Sequence, residues 1–306
     1  MGKTLIFGHK SPDTDTIVSS ICMENLKNKL GREIEAVRLG EISKETKYVL
    51  NYFGVEAPRK IEEVEDSQDV ILVDHNEFAQ SVNNIENANI KMVIDHHKIS
   101  DFQTSEPLYY RAEPVGCTAT IVYSLYKENG VEIDKKIAGL MLSAIISDTL
   151  LFKSPTCTPK DIEVANTLAE IAEIDIEKYG LDMLKAGTDL SDLTESELIY
   201  LDAKEVSLGS VKAVIAQINS IDLDKMVERK EKLEEQMNMV IEEKGLGIFV
   251  LAITDILNSN SEMIVLGKES ELFEKAFDVK LENNMAFLEG VVSRKKQIIP
   301  PMMKIN

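Results

Sequence analysis

The sequence predicts an α/β protein, with a mostly parallel sheet flanked by helices in its first half and a smaller α/β domain in its second. Three observations carry that prediction. Short β-branched apolar runs recur at residues 5–7, 34–39, 70–73 and 92–94, each of a length that suits a buried parallel strand. Helical patterns lie between them, and alternating strand and helix builds a parallel sheet covered on both faces. The pattern lapses at KAGTDLSD (185–192), rich in small polar residues, and then resumes.

Taken in order, the first strand leads into a helical pattern over 16–30. The second leads into one over 43–53, where Ser43 has the chemistry of an N-cap. Further helices are expected over 118–126 and 136–146. Thr158-Pro159 opens another, with threonine as cap and proline at the first helical position. Beyond the lapse, strands are expected near 213–218, 247–253 and 263–266. A lysine- and glutamate-rich helix over 224–243 has a solvated face, and its Met237 and Met239 are expected to pack. The expected division is a domain over 1–186, a hinge or linker over 187–192 and a second domain over 193–306. At 306 residues the chain is long enough for two domains.

Composition narrows the function classes. Lys plus Arg number 34 and Asp plus Glu 53, a net charge of −19. A broad nucleic-acid or membrane surface needs spread-out cations, so neither is expected as a partner, whereas a small anion needs only a local cluster. The most apolar stretch, IAGLMLSAII (137–146), is half the length of the roughly 20 residues that cross a bilayer. No basic-then-apolar leader pattern is read at the N-terminus. Cys22, Cys117 and Cys157 are odd in number, widely spaced and outside any CxxC pair, which favours a reducing cytoplasm over a disulfide framework.

The chemistry-bearing residues follow the expected strands. All four histidines lie within the first 97 residues. His9 starts His9-Lys10-Ser11-Pro12-Asp13-Thr14-Asp15 after the first strand, Asp74-His75 follows the third, and Asp95-His96-His97 ends the fourth. Asp148 closes the apolar helix. The carboxyl ends of strands in an open α/β sheet form the ligand crevice. One His or Asp after a strand is ordinarily a turn or cap residue, but four such segments converging on one rim are not. So many carboxylates would repel one another without a cation. Imidazole and carboxylate without thiolate suit Mn²⁺, Fe²⁺ or Co²⁺ better than structural zinc. The number of ligands suggests two ions, which at about 3.5–4 Å can share a carboxylate and activate a common water.

In the second half, Ser293-Arg294-Lys295-Lys296 follows the apolar pair Val291-Val292, as if at the end of a strand. Three adjacent cations in an acidic chain suit an anion clamp, with arginine as a planar fork and lysine as a point charge. Gly2-Lys3-Thr4 imitates the end of a phosphate-binding loop but precedes its strand instead of following it, so it is set aside.

Together GHKSPDTD, VDH, IDHH and SRKK, in that order along essentially the whole chain, resemble the family II inorganic pyrophosphatases of the DHH phosphoesterase superfamily. The resemblance implies that His9, Asp13 and Asp74 hold one metal, and that Asp15, Asp74, His96 and Asp148 hold the other, with Asp74 bridging. It places His97 toward the substrate and gives phosphate binding and charge stabilisation to Arg294, Lys295 and Lys204 of Asp202-Ala203-Lys204. His75 is expected to orient the bridging aspartate, and Lys296 receives no role. The implied activity is hydrolysis of diphosphate to two phosphates by a metal-bridged hydroxide. The implied cofactors are two Mn²⁺ per subunit, or Co²⁺, with Mg²⁺ accompanying the substrate, and the implied assembly is a homodimer. The nearest alternative is a relative acting as a phosphodiesterase on short oligonucleotides or cyclic dinucleotides, or as an exopolyphosphatase. The diesterases carry a glycine- and histidine-rich motif in the second domain, and this chain has no histidine after His97. A non-catalytic metal-binding relative is a further alternative, but no ligand position is substituted.

Overall fold

The computed structural model describes residues 3–305; Gly2 of the Gly2-Lys3-Thr4 triplet lies outside them. The chain divides into a first unit ending at Gly187 and a second beginning at Thr188.

The first unit is built on strands β1 (Thr4–Phe7), β2 (Ile34–Arg38), β3 (Arg59–Lys60), β4 (Asp69–Val73), β5 (Asn89–Asp95) and β6 (Tyr109–Ala112). They pair in the order β3-β2-β1-β4-β5-β6, every pair parallel. The order reverses between β1 and β4, and such a switch point opens a crevice at the strands' carboxyl ends. Helices α1 (Thr14–Lys29), α2 (Lys44–Phe53), α3 (Thr118–Glu128), α4 (Lys135–Asp148), α5 (Pro159–Ala172) and α6 (Ile176–Gly187) complete the unit.

The local signals act as their chemistry requires. Ser43 caps α2 by accepting from Thr46 N at 3.0 Å, and Thr158 and Asp161 form a reciprocal capping box on α5. The apolar run 137–146 is buried at every position inside α4. Gly139 admits the Phe53 ring there, since a Cβ would lie 2.1 Å from it. Among the described residues no helix is long and apolar enough to cross a membrane.

Two strands of this sheet have no counterpart in the sequence reading. β3 and β6 are the edges of the sheet and bury little, so they leave no apolar run. Helix α6 extends through Lys185, Ala186 and Gly187, so the small-residue segment begins as a helical turn.

The second unit carries β7 (Ala203–Leu208), β8 (Val211–Ser220), β9 (Ile248–Asp255), β10 (Asn260–Leu266) and β11 (Met285–Glu289), in the order β11-β10-β9-β8-β7. Only β8 and β9 pair in parallel. Helices α7 (Glu195–Leu198), α8 (Leu223–Glu228), α9 (Lys230–Lys244), α10 (Glu271–Phe277) and α11 (Ile299–Met303) accompany the sheet. Phe249, Leu251 and Ile253 pack with Leu233 and Met237 on one face, while Ile248, Val250 and Ala252 pack with Phe273 and Ile298 on the other. β9 is therefore buried along its whole length, as a strand with both faces covered must be.

Three expectations are corrected here. The charged helix expected over 224–243 breaks at Arg229, whose guanidinium donates to Leu190 O at 3.1 Å, Leu193 O at 2.6 Å and Glu195 Oε1 at 3.0 Å. Met237 packs, but Met239 is 62% exposed, because helical spacing carries position 239 off the apolar stripe. The cations 294–296 lie not on a strand but in a π turn, Arg294–Ile298, capped by Ser293.

Candidate metal centre

His9 lies two residues beyond β1, Asp74 directly after β4, and Asp95-His96-His97 at the end of β5. The parallel sheet thus delivers all of them to one rim, beside the switch point. Asp74 has φ 57°, a left-handed conformation that aspartate tolerates better than most residues. Its amide donates to Ile94 O at 2.9 Å, and its carboxylate is 1% exposed.

The two oxygens of Asp74 face different partners. Oδ2 lies 3.5 Å from His9 Nε2 and accepts from Thr16 Oγ1 at 2.6 Å. Oδ1 lies 3.4 Å from His96 Nε2 and 3.7 Å from His97 Nδ1, and accepts from Thr118 Oγ1 at 3.1 Å. Asp13 Oδ2 lies 3.3 Å from His9 Nε2, and Asp148 Oδ2 lies 3.9 Å from His96 Nε2. Three groups have donor atoms all within 4.8 Å of one another: His9, Asp13 and Asp74; Asp15, His96 and Asp148; and Asp74, His96 and His97.

Negative charge is concentrated here beyond what the imidazoles answer. Burial first, then the charge of Asp15, pushes the Asp74 carboxyl up to about 7. Burial and the charges of Asp15 and Asp74 likewise raise Asp148. Burial opposes protonation of His96, but its bond to Asp74 and the Asp15 charge outweigh that and push it up to about 9. Asp15 is fully buried and accepts from Thr118 N at 2.6 Å and Ala119 N at 3.1 Å. It occupies the first turn of α1 and faces the first turn of α3, so two positive helix ends hold one carboxylate. Clustered carboxylates and imidazoles without thiolate fit a divalent cation such as Mn²⁺, whose charge removes the repulsion that raises these carboxyls.

His75 acts on the backbone beside Asp74. Its Nδ1 lies 2.9 Å from Val73 O and its Nε2 3.0 Å from Ser81 Oγ. Both ring nitrogens are thereby engaged, and burial lowers the ring to about 4. The ring fastens the turn after β4. His97, half exposed, has Nδ1 at 2.9 Å from Asp95 Oδ1, and Asp95 Oδ2 in turn accepts from Asn76 Nδ2 at 2.6 Å. A cleft of about 150 Å³ opens between His9, Asp74, Asn76, Gln80, His97 and Lys98.

In the second unit, Lys204 on β7 pairs with Ile215 on β8, and cross-strand partners share a face. Arg294 Nη1 donates to the carbonyl of that same Ile215 at 3.4 Å, and Nη2 donates to Asp202 Oδ1 at 2.6 Å. Its backbone N donates to Gln217 Oε1 at 2.8 Å, and its buried Nε has no hydrogen-bond partner. Lys295 and Lys296 are exposed.

The sequence reading gave no role at the site to Thr16, Asp95, Thr118 or Asp161. Thr16 carried a usable signal, three residues after a capping aspartate. Thr118 and Asp161 carried none, because their partners are distant in the chain. Asp161 accepts from Gly116 N at 2.8 Å and so steadies the loop whose Val115 carbonyl lies 3.0 Å from His96 Nδ1.

The DHH family N-terminal domain matches residues 3–145 and the DHHA2 domain matches residues 181–305. A probable manganese-dependent inorganic pyrophosphatase of Bacillus pumilus (strain SAFR-032) is 61% identical over 303 residues, covering 99% of this chain and 98% of that protein. The manganese-dependent inorganic pyrophosphatase of Bacillus subtilis (strain 168) is 58% identical over 301 residues, covering 98% and 97%. A crystal structure of a Methanococcus jannaschii protein assigned to the family II inorganic pyrophosphatases matches with TM-score 0.62 at 42% identity, covering 98% of each chain. An exopolyphosphatase-related protein from Bacteroides fragilis shares the fold alone, with TM-score 0.52 at 15% identity and coverage of 99% and 92%. With its strand-end histidines and aspartates grouped around Asp74, and with relatives of this identity along its whole length, the chain belongs to the manganese-dependent, family II inorganic pyrophosphatases of the DHH superfamily.

Proposed function

We propose that this chain hydrolyses inorganic diphosphate to two phosphates with two Mn²⁺ ions per subunit. One observation carries the reading: a single buried carboxylate, Asp74, offers one oxygen to each of two imidazoles, His9 and His96. His9, Asp13 and Asp74 would hold one ion, and Asp15, Asp74, His96 and Asp148 the other. Bound there, Mn²⁺ supplies Lewis acidity that makes water nucleophilic near neutral pH and screens phosphoryl oxygens. Co²⁺ can take its place, and Mg²⁺ arrives with the substrate.

The chain's own residues supply the rest. His97, held through Nδ1 by Asp95, offers Nε2 to a phosphoryl oxygen. Arg294, Lys204 and Lys295 neutralise charge that spreads over the phosphoryl oxygens in the transition state. Turnover then needs both the domain over 1–186 and that over 193–306, with 187–192 as the hinge. The protein acts in the cytoplasm as a homodimer, with no nucleic-acid or membrane partner.

The test is phosphate release from diphosphate by protein stripped of metal and reloaded with Mn²⁺, Co²⁺, Zn²⁺ or Mg²⁺. Mn²⁺ or Co²⁺ should restore more activity than Mg²⁺ alone, because hard Mg²⁺ uses imidazole poorly. Full activity with Mg²⁺ as the sole ion would overturn the metal assignment. Faster turnover of a short oligonucleotide or a polyphosphate than of diphosphate would overturn the substrate.

A further inference from the structure

Glu45 lies in the first turn of α2 and belongs to none of the motifs above. Its Oε1 accepts two hydrogen bonds, from Thr14 Oγ1 at 2.6 Å and from Ser147 Oγ at 2.5 Å. Thr14 stands between Asp13 and Asp15 at the start of α1, and Ser147 immediately precedes Asp148 at the end of α4. One oxygen atom therefore ties together the two helix ends that carry three of the six metal-ligand candidates. Thr14 is braced further, its Oγ1 lying 3.2 Å from Thr46 Oγ1. The side chain also rests on the end of α6, where a Cβ added to Gly187 would meet Glu45 Cβ at 2.9 Å and Oε2 at 3.1 Å. Glu45 is thus held by two hydrogen bonds at one oxygen, and its side chain lies in the space that a Cβ at Gly187 would need.

We propose that Glu45 is a positioning residue for the metal centre, setting the separation between Asp13 and Asp15 on one side and Asp148 on the other; this rests on the reading of those aspartates as metal ligands. These carboxylates repel one another until a cation arrives, and a shared acceptor that cross-links their backbones keeps them from spreading. Outer groups that fix ligand orientation typically change metal affinity by about 10–100-fold when removed. The acceptor geometry, not the charge, does this: a glutamine oxygen can accept from both hydroxyls equally well.

The test is calorimetric Mn²⁺ titration of the full-length, metal-stripped protein, with thermal unfolding of the metal-free form alongside. Glu45→Ala should weaken Mn²⁺ binding by about 10–100-fold with little change in the metal-free melting temperature. Glu45→Gln should restore wild-type affinity to within about threefold, since its oxygen keeps both hydrogen bonds. A general packing role would instead lower the melting temperature and leave the affinity of the folded fraction alone. Should Glu45→Ala fail to fold, Thr14→Val and Ser147→Ala carry the test, and each should weaken Mn²⁺ binding. Wild-type isotherms for Glu45→Ala, or for both hydroxyl variants, overturn the proposal; if Asp74→Asn has lost Mn²⁺ in the same series, the metal-centre reading survives. A wild-type protein that takes up no Mn²⁺ overturns both.

Discussion

The six strands of the first unit all run one way, whereas in the second only β8 and β9 do. A parallel sheet gathers every carboxyl end on one edge. Neighbouring strands β1, β4 and β5 therefore bring His9, Asp74 and His96 together without any long loop. A mixed sheet sends its strand ends to both edges and offers no such rim. Two of its cations are placed by another route, with Lys204 opposite Ile215 on the β7–β8 hairpin and Arg294 reaching the carbonyl of the same residue from a π turn. The contrast teaches that strand direction can bring Asp74 and two imidazoles to one rim, to which the ends of α1 and α4 add Asp13, Asp15 and Asp148. The cations of the second unit are placed instead by register and by a turn, with Asp202 as the partner of Arg294.

Breaking the first arrangement should have the largest effect. Asp74→Asn removes the carboxylate proposed to serve both ions, so Mn²⁺ uptake should fall at both sites. Phosphate release should drop by at least about 10³-fold, the scale of losing a main stabiliser of transition-state charge. Calorimetric titration checks it, and full Mn²⁺ stoichiometry in this variant would show that Asp74 is not shared.

Breaking the second arrangement should leave metal untouched. Arg294→Ala is expected to give the Mn²⁺ isotherm of the wild type while diphosphate turnover falls about 10²–10³-fold. Loss of Mn²⁺ comparable to that of Asp74→Asn would erase the distinction between ligands and cations on which the comparison stands.

A stability pair sharpens the picture of the second unit. Met237 is fully buried beneath its sheet, and Met239 on the same helix is 62% exposed. Met237→Ala should cost about 2–5 kcal/mol and Met239→Ala less than about 0.5 kcal/mol in urea unfolding. Equal costs would mean that α9 does not present the face described.

The smallest effect concerns the turn after β4 and its dependence on pH. Burial holds His75 at about 4, below its ordinary 6.5. Between those values the unfolded chain binds a proton that the native ring refuses. His75 therefore supports stability fully above pH 6.5, and that support is lost as pH falls toward 4, by on the order of 3 kcal/mol. Glutamine does not titrate, so wild-type stability minus that of His75→Gln should decline over this window. A pH-independent difference in urea midpoints would place the ring in contact with water.

Legibility followed burial and chain proximity. Strands β1, β2, β4 and β5 were readable because buried parallel strands are continuous apolar runs, and α4 because its run 137–146 is buried throughout. Edge strands β3, β6, β7 and β11 were not, since one exposed side leaves no such run. His9, Asp74 and His96 could be found because each lies within two residues of a strand's end. The partners of His75 could not be read, because adjacency in sequence says nothing about where a ring turns, and this one turned to Val73 O and Ser81 Oγ.

The sequence by itself determined the α/β class, the two-part organisation and the donor types, because periodicity and local motifs are written in neighbouring residues. Only the tertiary structure decided which groups share a charge. Thr118 meets Asp74 across 44 residues and Ser147 meets Glu45 across 102. The helix ends of α1 and α3 converge on a single buried carboxylate, Asp15. Such contacts depend on how helices cross a sheet. A hydroxyl that bonds a carboxylate a hundred residues away leaves no pattern in the residues beside it.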